Sequence, residues 1–202
     1  HGYSWLARLG KPETAVVIGT NHSGRGPDAA LLKEGSWSTP LGEVDFESEL
    51  AEGILDSTKT LEKDYLPFTR EHSIEVQLPF LQHLWGDEIS IVPICLKAQN
   101  QEIASELGSA LDENLSNKTL IISSTDFTHY EPQETAKKKD DRAIEAIMER
   151  DVSEFFERVR QDNISICGYG TVGVLLHFSL ARDLRPEKLQ YATSGEVAGY
   201  GR

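Results

Sequence analysis

Short apolar runs alternate with longer amphipathic segments along the chain. The runs at residues 15–18, 89–96 and 119–123 are continuous rather than alternating, which is typical of strands buried on both faces of a parallel sheet. Apolar residues spaced three and four apart predict helices around them. Further strands are predicted at 29–37 and 189–193, and helices at 1–9, 46–55, 71–85, 101–115, 134–148, 152–159 and 171–184.

This alternation of strands and helices predicts an α/β fold. We expect a three-layer αβα arrangement, in which a mostly parallel central sheet carries helices on both faces. The 202 residues are enough for one sizeable core, and no repeat or linker divides them. A single domain is therefore predicted over residues 1–202. Pro79 is expected to kink or restart the helix at 71–85.

Two loops of this predicted fold carry candidate chemistry, because ligands of such folds bind beyond the carboxyl ends of the strands. His22 lies four residues after the run at 15–18, and Asp126 and His129 follow the run at 119–123. Each has a structural alternative, since a histidine can simply bond a loop backbone and Asp126 can be a turn residue. Two such loops at one end of a sheet favour a functional site.

Cys167 stands just before Gly168 and the helix predicted from residue 171. The positive end of a helix dipole favours thiolate, which is the form that ligates metals or attacks electrophiles. The alternative is a buried and inert cysteine, which is our interpretation of Cys95 within its strand.

Glu71 and His72 add two ionisable groups at the start of the helical pattern at 71–85. Ser73 with Glu75 nearby offers the alternative of ordinary helix capping. This segment alone therefore does not decide between a site and a cap.

Composition narrows the range of partners. The 20 Lys and Arg residues against 33 Asp and Glu residues give a formal net charge of −13, which repels nucleic acid and anionic lipid surfaces. No apolar run approaches the roughly 20 residues that span a bilayer. Two cysteines are too few for a disulfide framework, so we expect a reducing, cytoplasmic location.

Five ordered motifs resemble the Memo family, which is named after a mediator of cell motility in animals. The family also occurs in archaea and bacteria, where it is called protein B of the AmmeMemoRadiSam system. The motifs read GTNHSG at 19–24, STPLG at 38–42, EHSIE at 71–75, STDFTH at 124–129 and ICG at 166–168. The resemblance runs from about His1 to Tyr200.

The resemblance implies a fold related to the class III extradiol dioxygenases, also called LigB-like, and a mononuclear metal pocket. The family's metal ligands are two histidines and one cysteine, and His22 and Cys167 match the second histidine and the cysteine. His72, Asp126 and His129 match other polar positions of the pocket, where we expect them to orient ligands or move protons. The expected metal is iron or copper, with zinc as a third option.

One expected ligand has no match in this chain. The family's first histidine belongs to a His-Ala-Gly-Tyr motif upstream of the strand at 15–18. His1 lies only 21 residues before His22 and heads the predicted helix at 1–9, so its spacing does not fit that motif. We therefore expect the third ligand upstream of His1.

Three functions follow from these residues. The first is a metal-dependent oxidoreductase of dioxygenase-like type, with an unidentified small molecule or peptide as substrate. The second is a hydrolase or transferase with Cys167 as nucleophile, His129 or His22 as base and Asp126 orienting the base. The third is a non-enzymatic binding or signalling module, since animal members of the family bind phosphotyrosine peptides. The resemblance also implies partner proteins from a radical-enzyme system.

Overall fold

A computed structural model gives the fold and describes residues 2–8 and 10–199. Its strands are β1 (Thr14–Thr20), β2 (Ala29–Leu31), β3 (Ser36–Thr39), β4 (Gly42–Asp45), β5 (Leu61–Lys63), β6 (Ser90–Leu96) and β7 (Thr119–Ser123). Its α-helices are α1 (Gly2–Leu6), α2 (Ser48–Asp56), α3 (Leu78–Trp85), α4 (Gln101–Asn114), α5 (Gln133–Glu149), α6 (Val152–Gln161), α7 (Tyr169–Ala181) and α8 (Ser194–Ala198). Short 3-10 helices occur at Leu66–Arg70, Glu75–Gln77 and Gly86–Glu88.

The central sheet has the strand order β5-β2-β6-β1-β7. Strand β1 lies parallel to both β6 and β7, and β2 lies parallel to β5 but antiparallel to β6. The register pairs Ile18 with Ile94 on one side and with Ser123 on the other, so the three central strands end at the same level. The mostly parallel sheet of the predicted α/β fold is confirmed.

One face of the sheet packs against α2, α4 and α7. Val16 and Ile18 of β1 share a buried cluster with Ile54, Leu107 and Val174 from these three helices. All seven residues of β1 are buried, which explains its continuous apolar pattern. Each fully buried valine or isoleucine contributes roughly 1.5–3 kcal/mol to folding.

The opposite face packs against α3 and the hairpin formed by β3 and β4. Ala15 and Val17 of β1 join Val44 of the hairpin and Leu78 and Leu81 of α3 in a second buried cluster. Helical layers on both faces of the sheet confirm the three-layer arrangement. Helices α5 and α6 pack beside α7 around a third cluster that includes Phe155.

The strand predicted at 29–37 is two strands with different partners. Strand β2 ends at Leu31 and belongs to the central sheet, whereas β3 pairs with β4 in a separate two-stranded sheet. Gly35 lies between them with φ +106°, a conformation that disfavours any residue with a Cβ. This turn ends the first strand and redirects the chain.

The helix predicted at 71–85 begins later than expected. Helix α3 starts at Leu78, with Pro79 in its first turn, because proline suits the start of a helix and not its interior. Glu75–Gln77 forms a 3-10 turn, and the preceding residues up to Glu71 are outside any regular element. The segment that carries Glu71 and His72 is therefore a loop.

Three further differences from the predictions concern the edges of the molecule. Residues 189–193 form no strand and lead into α8. Strand β7 is only half-buried, because within the described residues β1 is its one neighbour in the sheet. The predicted helix at 1–9 is observed as Gly2–Leu6, and His1 lies outside the described residues. Among residues 2–8 and 10–199, no helix combines the length and the apolar character needed to cross a membrane.

Candidate functional site

His22 lies two residues beyond the end of β1, in a tight loop. The side chain of Asn21 closes this loop, since its Oδ1 accepts from the N–H of Gly24 at 2.9 Å and its Nδ2 donates to the carbonyl of Arg25 at 2.6 Å. Gly24 adopts φ +66°, which glycine accommodates without strain. The sequence Asn-His-Ser-Gly therefore forms a turn that projects the His22 imidazole from the carboxyl end of the sheet.

The His22 imidazole is held by the carboxylate of Glu71. Nδ1 of His22 lies 3.0 Å from Oε1 and 3.1 Å from Oε2, and the His22 backbone N–H donates to Oε2 at 2.9 Å. An ionised carboxylate only accepts hydrogen bonds, so the proton of the neutral imidazole is on Nδ1. Within the described residues Nε2 has no hydrogen-bond partner, and its lone pair is free.

Glu71 is a buried charge, with only 2% of its surface exposed. Its Oε1 also accepts from the backbone N–H of Ser73 at 2.7 Å and from that of His72 at 3.0 Å. Burial acts to raise the pKa of Glu71, but the hydrogen bonds from Ser73 and His22 outweigh it and hold the pKa below its ordinary value. Glu71 is therefore ionised at neutral pH.

Residues 71–74 are fitted closely against the end of β1. The N–H of Thr20 donates to Oγ of Ser73 at 3.1 Å. A Cβ on Gly19 would lie 2.3 Å from that same oxygen and 2.7 Å from Ile74. Only glycine at position 19 lets this loop approach near enough for Glu71 to reach His22.

His72 stacks on His22, with ring centroids 4.8 Å apart and an angle of 28° between the planes. Its side chain is 68% exposed, and its Nδ1 is 3.9 Å from Oε1 of Glu71, too far for a hydrogen bond. His22, Glu71 and His72 have potential ligand atoms within 4.8 Å of one another. Across the part of the chain that the structure describes, this is the one such group of three His, Cys, Asp or Glu residues.

Cys167 lies in the loop before α7 and contacts the loop after β7. Its N–H donates to the carbonyl of Asp126 at 3.2 Å, and its Sγ accepts from the Asp126 N–H at 3.3 Å. Oγ1 of Thr125 is 3.4 Å from the sulfur and accepts from the N–H of Gly168 at 2.7 Å. These contacts fix the position of the half-buried thiol. Cys95, by contrast, is fully buried within β6, as predicted.

The carbonyl of Cys167 joins its loop to the central strands. It accepts from Oγ1 of Thr20 at 3.1 Å and from Nε2 of Gln99 at 2.6 Å. A Cβ on Gly168 would lie within 3 Å of both Thr20 and Thr125. The loop of Cys167 is thus packed against the strand end that also leads to His22. Cys167 does not belong to the three-residue group of His22, Glu71 and His72.

Asp126 and His129 lie in the same loop but do not bond one another. The N–H and Nδ1 of His129 bond Oγ and the carbonyl oxygen of Ser165, at 2.7 Å and 2.8 Å. Since a carbonyl oxygen only accepts, Nδ1 carries the proton and Nε2 is free to accept one. Asp126 is exposed, and its carboxylate has no hydrogen-bond partner among the residues described. A carbonyl, rather than Asp126, orients His129.

An open cavity of about 1210 Å³ borders this loop. Residues 125–131, the facing side of α5 and residues 186–195 line it, so both Asp126 and His129 reach it. Buried Asp140 ties these walls together, since Oδ1 accepts from Oγ1 of Thr128 at 2.6 Å and Oδ2 accepts from the Tyr191 hydroxyl at 2.8 Å. Burial and the bond to Asp140 raise the pKa of Tyr191, so its hydroxyl stays protonated and keeps donating.

Five of the six side chains described at this end of the sheet are predicted from the sequence, although their contacts are not. The sixth, Glu71, has no predicted role in the site. Its position next to His72 in the EHSIE motif was the available indication. Glu71 differs from an ordinary capping residue in being buried. Its burial depends on contact with the end of β1 and the loop of His22, about fifty positions away in the sequence.

Comparisons with known proteins agree with this architecture. The sequence profile of the family described as Memo-like protein matches residues 1–201. A MEMO1 family protein of Thermotoga neapolitana is 46% identical over 202 residues, covering 98% of this chain and 71% of the relative. One from Methanopyrus kandleri is 41% identical over 203 residues, covering 98% and 72%.

A solved structure supports the fold alone. The crystal structure of an uncharacterized protein from Escherichia coli K12 superposes with a TM-score of 0.61, covering 87% of this chain and 80% of that one, at 13% identity. The profile match over nearly the whole chain, together with relatives above 40% identity, establishes the family to which the chain belongs. The chain belongs to the Memo family of Memo-like proteins.

Proposed function

We propose that this protein is a metal-binding protein with a mononuclear site, in which Nε2 of His22 and Sγ of Cys167 are two of the ligands. One observation carries the proposal. The loop of Cys167 is hydrogen-bonded to Thr20 at the end of β1, two residues before His22, so both side chains leave the same end of the sheet. Parallel α/β sheets place their ligands at that end.

The residues present fit a metal in their donor chemistry. His22 has an unpartnered Nε2, and Cys167 offers a sulfur whose position is fixed by neighbouring donors. Imidazole nitrogen with thiolate sulfur suits iron, copper or zinc better than magnesium or calcium, which prefer oxygen. We propose iron or copper as the metal, with zinc as the third option.

We further propose that the protein acts as an oxidoreductase of dioxygenase-like, LigB-like type. The metal would supply Lewis acidity and redox chemistry. The chain's own residues would bind the substrate and move protons: Nε2 of His129 can accept a proton, and exposed Asp126 and His72 can orient polar groups. A small molecule or peptide in the cavity between the loop after β7 and α5 would contact Asp126 and His129 directly.

The geometry favours this proposal over a cysteine hydrolase. A nucleophile, base and orienting acid act as a hydrogen-bonded chain. Here Asp126 contacts Cys167 through its backbone, and His129 is oriented by Ser165. The other alternative is a non-enzymatic module that binds a phosphopeptide in the same pocket. The charge of the site gives it little support, because Arg25 and Arg70 are the only arginine or lysine residues of the adjacent loops at residues 19–27 and 70–75. For the metal-binding protein we also propose a cytoplasmic location and partner proteins from a radical-enzyme system.

Metal analysis of the full-length protein tests the proposal. We expect close to one metal ion per chain, and at least a tenfold weaker affinity after His22→Ala or Cys167→Ser, because each change removes one ligand atom. His83→Ala, at an exposed position in α3, and Cys95→Ala, in the core, are the matched controls and should retain the metal. Metal content that is insensitive to both His22→Ala and Cys167→Ser would refute the proposed site.

A further inference from the structure

We infer that Glu71 is a positioning residue, which selects the tautomer of His22 that leaves Nε2 available and which does not itself bind the metal. The inference rests on the proposed metal site for its functional meaning. It concerns the hydrogen bonds of the metal-free protein, so it can be tested independently of any metal.

The carboxylate of Glu71 has no free acceptor capacity. Two carboxylate oxygens offer about four lone-pair positions. Four donors use them: the backbone N–H groups of His22, His72 and Ser73, and the Nδ1–H of His22. A metal that bound Glu71 would have to displace at least one of these bonds. The short distances among His22, Glu71 and His72 therefore describe a ligand with its support, rather than three equivalent ligands.

The burial of Glu71 leads to the same conclusion. Its side chain has no exposed surface, whereas 35% of the His22 side chain and 68% of the His72 side chain are exposed. A metal arriving from solvent meets the two rings and not the carboxylate. Loss of the bond from Ser73 would leave a buried N–H group without a partner, which is unfavourable.

Three backbone N–H groups hold the carboxylate in place, and this makes it an effective guide for the imidazole. The donors come from two separate segments, the loop at His22 and the loop at residues 72–73, so the carboxylate cannot rotate without breaking bonds to both. Nδ1 of His22 faces two fixed acceptors. In metalloproteins, such a partner on the non-ligating nitrogen sets both tautomer and ring orientation.

The variant Glu71→Gln separates this role from a merely structural one. Gln can keep its oxygen toward the N–H groups of His72 and Ser73. Its NH₂ group then stands at the Oε2 position, where it faces both Nδ1 and the backbone N–H of His22. Nδ1 also lies 3.0 Å from the Oε1 position, but the two lone pairs of an oxygen there are used by the N–H groups of His72 and Ser73. An amide NH₂ only donates, so we expect Nδ1 to become the acceptor and the proton to move to Nε2. The expected outcome is a reversed tautomer in a protein that is still folded.

The experiment is ¹⁵N NMR of the imidazole nitrogens in metal-free protein, followed by titration with Fe²⁺ or Zn²⁺. Wild type should show His22 protonated at Nδ1, and Glu71→Gln should show it protonated at Nε2 with metal binding weakened about 10- to 100-fold. Glu75→Gln is the matched control, since Glu75 is exposed and four residues along the same segment; it should behave as wild type.

Each outcome decides the inference. Nε2 protonation of His22 in the wild type would overturn it, even if Glu71→Gln failed to fold. An unchanged tautomer and affinity in a folded Glu71→Gln variant would also overturn it. If the wild type shows the Nδ1 tautomer but its metal binding does not depend on His22, the proposed metal site fails and the positioning of His22 by Glu71 still stands.

Discussion

The two proposed ligands are held in contrasting ways. His22 depends on one group, the buried carboxylate of Glu71, which binds both its ring and its backbone. Cys167 is held by several neutral contacts spread over Thr20, Gln99 and Asp126. The support of His22 is therefore concentrated in one charged group, whereas the support of Cys167 is distributed over several neutral ones. A single substitution should therefore disturb the His22 loop much more than the Cys167 loop.

The largest expected effect is that of Glu71→Ala. This change removes the acceptor of three backbone N–H groups in a buried position, so we expect the free energy of unfolding to fall by roughly 3 kcal/mol or more. Urea denaturation of the wild type and of the variant measures this difference in the free energy of unfolding. Glu75→Ala, at an exposed position of the following 3-10 turn, should change the same free energy by less than about 0.5 kcal/mol. A similar loss in both variants would mean that the carboxylate is not specifically required.

Substitution of the glycine near each proposed ligand should lower the free energy of unfolding by similar amounts. In Gly19→Ala the new Cβ meets Ser73 at 2.3 Å and Ile74 at 2.7 Å, and in Gly168→Ala it meets Thr125 at 2.7 Å and Thr20 at 2.9 Å. Both should lower the free energy of unfolding by about 1–3 kcal/mol, because the packed neighbours must shift.

The ligand affected should differ between these two variants. Gly19→Ala should change the NMR signals of the His22 imidazole, because it pushes residues 71–74 from β1, and Gly168→Ala should change the reactivity of the Cys167 thiol toward an electrophile. Gly195→Ala is the control, since its Cβ has no neighbour closer than 3.9 Å. If both variants altered both ligands equally, the two supports would not be separate.

The smallest expected effect is that of Gln99→Ala. Its side chain donates to the Cys167 carbonyl and accepts from the N–H of Gly170 at 2.8 Å. Thr20 still donates to that carbonyl in the variant, so the loss should be about 1 kcal/mol by thermal or urea unfolding, with metal affinity nearly unchanged. A loss as large as that of Glu71→Ala would contradict the distributed support of Cys167.

Much of the fold could be predicted because the central strands are buried on both faces. Strands β1, β6 and β7 and helices α2, α4, α5, α6 and α7 lie close to the predicted positions. The three-residue strand β5 is too short for a periodic pattern, and Gly35 divides a stretch that looks continuous. Residues 189–193 have the composition of a strand, but Tyr191 bonds Asp140 of α5 instead of joining the sheet.

The candidate site could be predicted only as a set of residue types. His22, Asp126 and His129 follow apolar strands, and a loop position next to a strand end is visible in sequence. Their partners are not visible. The bond from His129 to Ser165, in place of Asp126, spans 36 positions and depends on how two loops pack.

By itself, the sequence determined the fold class, the family and the end of the sheet where the candidate site residues lie. These properties follow from patterns of neighbouring residues, which the burial of strands and the spacing of motifs impose locally. Only the tertiary structure decided that Glu71, one acidic residue among 33 acidic ones, is buried and bonded to His22. The physical reason is that the burial of a charge requires several donors to converge on it. Here those donors come from two loops that meet only after β1 and residues 71–74 pack together.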